Sequence, residues 1–321
     1  MKTVVKITLI VGMALLLVGG TICSVAVAVS PSLRKDWSWR GQMGQYGQAE
    51  RKEYSFDASA VKGLRVEEIS GSVIVVPSRE DQVTVTCYDS EQTNYEVKLD
   101  ASGTLVIKNK IQRNWMWRLA HLQLTTDGGF SPLTIEVPET LGQNLNIDSV
   151  SADVSVSGLK VQGDLRVDTA SGDVQVEDCE ISGNLTVNTV SGDVKLHRSS
   201  VAAQAKIDGT SSEVNIGNST LGKLNINLIS GDTNMTDVTV TGRASVSTTS
   251  GELLFQRLAV QELDVDVISG NVGGTIVGDA EDYTIRIDTL SGDRNIPRSG
   301  GGAKKISVDS LSGDVDIDFV S

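Results

Sequence analysis

A four-residue phrase, Ser-Gly-Asp-Val in its cleanest copies at Ser171–Val174 and Ser191–Val194, recurs along the C-terminal half of this chain. Its leading serines are Ser151, Ser171, Ser191, Ser211, Ser230, Ser250, Ser269, Ser291 and Ser312, at steps of 20, 20, 20, 19, 20, 19, 22 and 21 residues. A period near 20 residues makes a repeat architecture, in which each copy covers the apolar surface of its neighbour.

Aligned on the serine, the apolar positions form columns. Four residues before it stand Ile147, Val167, Val187, Ile207, Ile226, Val246, Val265, Ile287 and Val308, all β-branched, as a buried pleated strand favours. Six before it stand mostly leucines, from Leu145, Leu165 and Leu185 onward. After it come pairs such as Val174/Val176 and Val194/Leu196. Spacing by two is the strand period, and no stretch here carries a useful helical one. Glycine follows most of the serines, where a tight corner or a positive φ costs it nothing. A second break about ten residues on, often with glycine, makes two or three short strands per coil. The pattern predicts an all-β, parallel β-solenoid, each coil stacked on the one before it. Nine coils at about 4.8 Å would make a rod of roughly 43 Å. A leucine-rich frame, the nonapeptide calcium β-roll and the longer propeller repeat do not fit.

The N-terminus carries Lys2 and Lys6, then Ile7 to Val29 without a charge, 23 residues and enough at 1.5 Å each to cross a bilayer as a transmembrane helix. The expectation is an uncleaved anchor. Ala26-Val27-Ala28 resembles a cleavage site, so a signal peptide is the rival. Cys23 lacks the small residue a lipoprotein site wants before it. Lys2 and Lys6 favour an N-terminus inside, although Arg34, Lys35 and Arg40 weaken that bias; Trp37 and Trp39 suit the membrane interface. The solenoid is therefore expected outside the cytoplasm at the cell membrane, or secreted if the segment is cleaved. Residues 30 to 55 read as a linker, 56 to 140 as irregular first coils and a cap, and 141 to 321 as the regular solenoid. Around Ser70 the columns reappear in Leu64, Val66, Val73 and Val75, and the runs Val83–Cys87, Tyr95–Leu99, Leu105–Ile107 and Leu133–Val137 read as larger coils. The stretch from Arg113 to Gly129 holds Trp115, Trp117 and His121, either a cap over the rod end or an exposed aromatic binding loop.

A net charge of −13 and a pI near 4.7 argue against nucleic acid as a partner. The acids lie in two columns. Two residues after each serine come Asp153, Asp173, Asp193, Glu213, Asp232, Glu252, Asn271, Asp293 and Asp314; three before it come Asp148, Asp168, Asn188, Asp208, Asn227, Ser247, Asp266, Asp288 and Asp309. Stacking would turn each column into a ladder of repelling charges. Solvent exposure and hydrogen bonds from turn N–H groups would relieve it; Ca²⁺ is the alternative, and otherwise no cofactor is expected. Asp173, Asp193 and Asp232, with Trp115 and Trp117, are the candidate ligand-binding residues. Two histidines, His121 and His197, sit in no triad motif, so no catalytic residue is assigned. Polysaccharide-cleaving β-helices set a basic residue over carboxylates; Arg166, Arg243 and Arg286 could do so, and are read instead as offsetting neighbouring acids. Cys87 and Cys179 read as small buried core residues rather than a bridge or metal ligands.

Leu64-x-Val66-x-x-Ile69-Ser70-Gly71-x-Val73, then Leu133-Thr134-Ile135-Glu136-Val137-Pro138, then the serial coils from Ser151 resemble the bacterial "putative adhesin" domain, over roughly residues 56 to 318. The resemblance implies a β-solenoid of unknown function, often behind a membrane anchor, in some members within operons that sense envelope stress. It carries no catalytic residues. The first expectation is thus a membrane-anchored, extracytoplasmic binding or scaffold protein that contacts an envelope protein, a polysaccharide or an outside surface. The alternatives are an accessory regulator of an envelope-stress sensor and a carbohydrate-active β-helix enzyme.

Overall fold

The computed structural model describes residues 50–89, 94–110, 132–141, 144–297 and 301–321. The proposed membrane segment, Trp37, Trp39, Trp115, Trp117 and His121 lie outside them. No helix among the described residues is long and apolar enough to cross a membrane.

Gln48–Ser321 forms one compact all-β unit. The nine serines bound about eight full turns of a parallel β-solenoid with coils of about 20 residues. Each coil contributes a strand before its serine, one after it and a short third one. Leu165–Ser171 lies between Leu145–Ser149 and Leu185–Ser191 in unbroken register, and Val174–Glu177 lies between Val154–Ser157 and Val194–His197. On the third face Glu180 and Ile181 pair with Lys160 and Val161, then with Ser200 and Val201. The β-branched column turns inward as its period requires: Ile147, Val167, Val187, Ile207 and Ile226 are each 0% exposed. One continuous core runs the length of the stack. Each Val or Leu in it contributes about 1.5–3 kcal/mol by leaving water. Cys87 and Cys179 are free, buried members of that core. Burial pushes the Cys87 thiol up to about 11 and raises that of Cys179, so neither is poised to react.

The coils do not stack in chain order at the far end. Leu263–Val267 pairs with Ile306–Ser310, whose other side pairs with Ile285–Thr289. On the next face Val272–Val277 pairs with Val315–Val320, and Val315 and Asp316 then pair with Arg294 and Asn295. The spatial order is therefore Ser269, Ser312, Ser291. The connection through Val272–Val277 and the short 3₁₀ turn Ala280–Asp282 climbs past one coil height, leaving a slot that the last strands fill. The expectation that each coil stacks on the one before it is corrected accordingly. Phe319 packs on Tyr283, ring centroids 5.3 Å apart, and the Tyr283 hydroxyl donates to the Val260 carbonyl at 2.9 Å.

At the near end, Gly63–Pro77 forms the coil beside Leu145–Ser157. Beyond it a composite layer is made from two segments, Thr104–Lys110 on one face and Leu133–Val137 on the other. The runs at Val83–Cys87 and Tyr95–Leu99 are not coils. Gln82–Asp89 pairs antiparallel with Leu133–Val137 and Glu50–Asp57; Asn94–Leu99 pairs antiparallel with Thr104–Lys110. Chain reversal explains the second pair. The Asp100 carboxylate accepts the N–H groups of Ser102 and Thr104, and Gly103 takes φ +86°, so the strand doubles back after four residues. Glu50–Asp57 also converts the end of the stretch read as linker into a strand.

Candidate functional site: an acidic corner ladder

The Ser-Gly-Asp phrase makes one corner of every coil. Its glycine is required by contact as well as by conformation. Gly192 has φ +144°, and a Cβ there would lie 2.2 Å from the Gly172 carbonyl oxygen. Close stacking of the corners brings the acids into a row. The Asp153 Oδ1 accepts the Asp173 N–H at 3.0 Å, the Asp173 Oδ1 accepts that of Asp193 at 2.8 Å, and the Asp193 Oδ1 accepts that of Glu213 at 3.0 Å. Asp232 accepts the Glu252 N–H at 2.7 Å. At the far end the row follows space rather than sequence: Asn271 accepts from Asp314 at 3.0 Å, and Asp314 from Asp293 at 2.8 Å. The relief is therefore an N–H from the next coil, a variant of the turn hydrogen bond expected. Longer Glu213 turns sideways and accepts from Asn215 at 3.0 Å.

Asp173, Asp193 and Asp232 thus share one exposed edge, with Glu213 between the last two. None of Asp153, Asp173, Asp193, Glu213, Asp232, Glu252, Asp293 and Asp314 forms an ion pair among the described residues. No group of three or more His, Cys, Asp or Glu among the described residues is arranged to hold a metal ion.

The second ladder is balanced in part. Arg166 Nε meets Asp168 at 2.5 Å, Lys206 pairs with Asp208, and Arg286 Nη2 meets Asp288 at 2.5 Å. Arg243 pairs with Asp264 and Glu262. Arg166, Arg243 and Arg286 thus offset acids as expected. Alternation helps too: the Asn188 amide donates to Asp168 at 2.5 Å and the Asn227 amide to Asp208 at 2.7 Å. Where alternation fails, Asp266, Asp309 and Asp288 stand side by side. Partial burial, with the charges of Asp264 and Asp309, holds Asp266 above the usual carboxylate range. His197 is structural: its Nε2 meets the Asn218 amide at 3.0 Å, and its ring covers Gly217.

One polar cluster escaped the sequence reading. Glu68 is 2% exposed at the near end. It accepts from the Tyr95 hydroxyl at 2.7 Å, the Asn109 amide, and its neighbours' N–H groups at Ile69 (2.8 Å) and Ser70 (3.3 Å). Its position two before the serine, which is Thr169 or Thr189 elsewhere, was the available signal. With every oxygen engaged, Glu68 ties the cap strands to the first coil.

The structure resembles one from Clostridium sporogenes named a putative cell adhesion protein (10% identity, TM-score 0.26, covering 85% of this chain and 100% of that one). It also resembles one from Parabacteroides distasonis whose name reads putative lipid binding protein (15% identity, TM-score 0.39, covering 85% and 97%). A third, from Parabacteroides merdae, is named a putative adhesin (10% identity, TM-score 0.23, covering 85% and 97%). No curated protein matches. The family model described as Toastrack DUF4097 matches residues 61–318, from the first core valine to the last strand, and the chain belongs to that family.

Proposed function

We propose that this protein is an extracytoplasmic scaffold, anchored through Ile7–Val29, that acts by binding an envelope protein or polysaccharide rather than by catalysis. The observation that carries the reading is the corner ladder: eight carboxylates along one edge, each without a cation among the described residues. A stack holding that many like charges in register is less stable for it, and a bound cationic partner relieves the repulsion.

Crosslinking on intact cells, followed by identification of the attached species, tests this. Recovery of a wall polymer or an envelope protein supports the scaffold reading. Recovery of a single membrane sensor converts it to the regulatory one. Recovery of cytoplasmic proteins alone removes it.

A further inference from the structure

Beside the corner ladder, one residue before the serine, runs a column of exposed and half-buried residues, six of the nine large aliphatics and the other three Ala170, Thr210 and Thr249. It includes Val150, Val190, Ile229, Ile268, Leu311 and Leu290 in their spatial order. Among the described residues, four of the six exposed large hydrophobic ones fall in this single column: Val150 at 51%, Val190 at 46%, Leu311 at 43% and Leu290 at 80%. The two outward columns preceding it on the same face hold no aliphatic residue from Asn146 to Ser307. An outward strand position has no need of valine or leucine, and a soluble surface does not gather them in a line by chance.

The ridge is bordered by acid on both sides. Three before the serine stand Asp148, Asp168 and Asp208; two after it stand Asp153, Asp173 and Asp193. Asp168 and Asp208 of the first set are paired with Arg166 and Lys206, whereas no acid of the corner set has a cation among the described residues. A second copy of this chain would bring the same acids against one another, and an anionic lipid surface would be repelled likewise. The chemistry that fits is an apolar stripe flanked by cations. Spacing narrows it further: Val150, Val190, Ile229 and Ile268 stand on alternate coils, about 9.6 Å apart, close to the roughly 10.8 Å of two α-helical turns, so every second turn of a helix meets a large aliphatic side chain.

We infer that this edge is a docking surface for a cationic amphipathic α-helix of a protein partner, its apolar face on the Val150–Leu290 ridge and its Lys or Arg side chains over the corner carboxylates. The inference rests on the binding function proposed above and names the partner's chemistry.

The test uses the full chain in phosphatidylcholine nanodiscs, with binding to empty discs subtracted. A fluorescent Leu/Lys amphipathic helical peptide is titrated and followed by anisotropy. The Leu/Glu peptide of the same pattern should not bind. Val150→Thr with Val190→Thr, Ile229→Thr, Ile268→Thr, Leu311→Thr and Leu290→Thr puts a β-branched polar residue at every ridge position, and should weaken binding about tenfold or more. Asp173→Asn with Asp193→Asn and Asp232→Asn keeps the N–H acceptor, as native Asn271 does, and should weaken binding and flatten its salt dependence. The threonine variant should melt as the parent does, and the asparagine variant at the parent's midpoint or above it, since it removes like charges from the row. The inference is overturned if neither peptide binds, if both bind alike, if the threonine variant binds as the parent does, or if the ridge instead proves to drive self-association. Should the peptide fail while intact-cell crosslinking still recovers an envelope partner, the scaffold function stands and this surface is not its means.

Discussion

The Tyr95 hydroxyl donates to the buried Glu68 carboxylate at 2.7 Å, joining a cap strand to the first coil of the solenoid. Tyr95→Phe leaves that carboxylate oxygen without this donor and should cost about 1–3 kcal/mol in chemical denaturation. Burial, and then the Glu68 charge, raise the Tyr95 pKa above its usual 10. A phenol with a raised folded value contributes stability that is present below the unfolded value and lost as pH rises past it. Spectroscopic titration should show this tyrosine still neutral where an exposed one has ionised. Ordinary titration of all five tyrosines would refute the linkage.

Gly192→Ala drives a methyl group into the Gly172 carbonyl at a φ of +144°. The expected loss is about 3 kcal/mol or more. Ser191→Ala, one residue away and exposed, should change stability by no more than about 0.5 kcal/mol. Equal effects in a paired denaturation measurement would mean that the corner is looser than described.

Asp266 is held above the ordinary carboxylate range by partial burial and by its neighbours Asp264 and Asp309. Its charged form is the disfavoured one, so its contribution is present below the unfolded value and declines as pH rises through the folded one. Asp266→Asn should therefore raise the melting midpoint at pH 7, by a few degrees at most, and the gain should vanish below about pH 4. A gain that grew on acidification would contradict the assignment.

Calcium should leave the melting midpoint where an equal ionic strength of magnesium leaves it. One oxygen of Asp153, Asp173, Asp193 and Asp232 already accepts an N–H from the next coil, and each corner offers a single acid. A rise specific to millimolar calcium would reinstate the metal reading of the ladder.

How much of this was legible follows from what each residue repeats. Ile147, Val167 and Val187 announce their inward face because the strand period and the coil period agree at that position. The order of the last two coils was not read, because the Ser291 and Ser312 copies share Ser-Gly-Asp and the columns before it, and only Arg294, where Val315 stands in the other, marks an end coil. Either could pair with Leu263–Val267, and the connecting length decides. The direction of Val83–Cys87 was hidden for a related reason: alternation marks a strand's faces but not the sense of its neighbour. Of the site, the acid columns could be anticipated, but their N–H donors were expected within the turn and come from the next coil. Glu68 could not, since a single departure in a column has no repeat to confirm it.

The displaced coil also has a consequence for how the chain assembles. A polypeptide emerging from its N-terminus can add each coil up to Ser269 as it appears, every new strand finding a finished template. The Ser291 segment cannot: its partner strands, Lys304–Ser312 and Val315–Val320, follow it in the chain. Its final pairing forms only once they have been made. Completion of this rod is therefore the closing of a clasp rather than the laying of a last course.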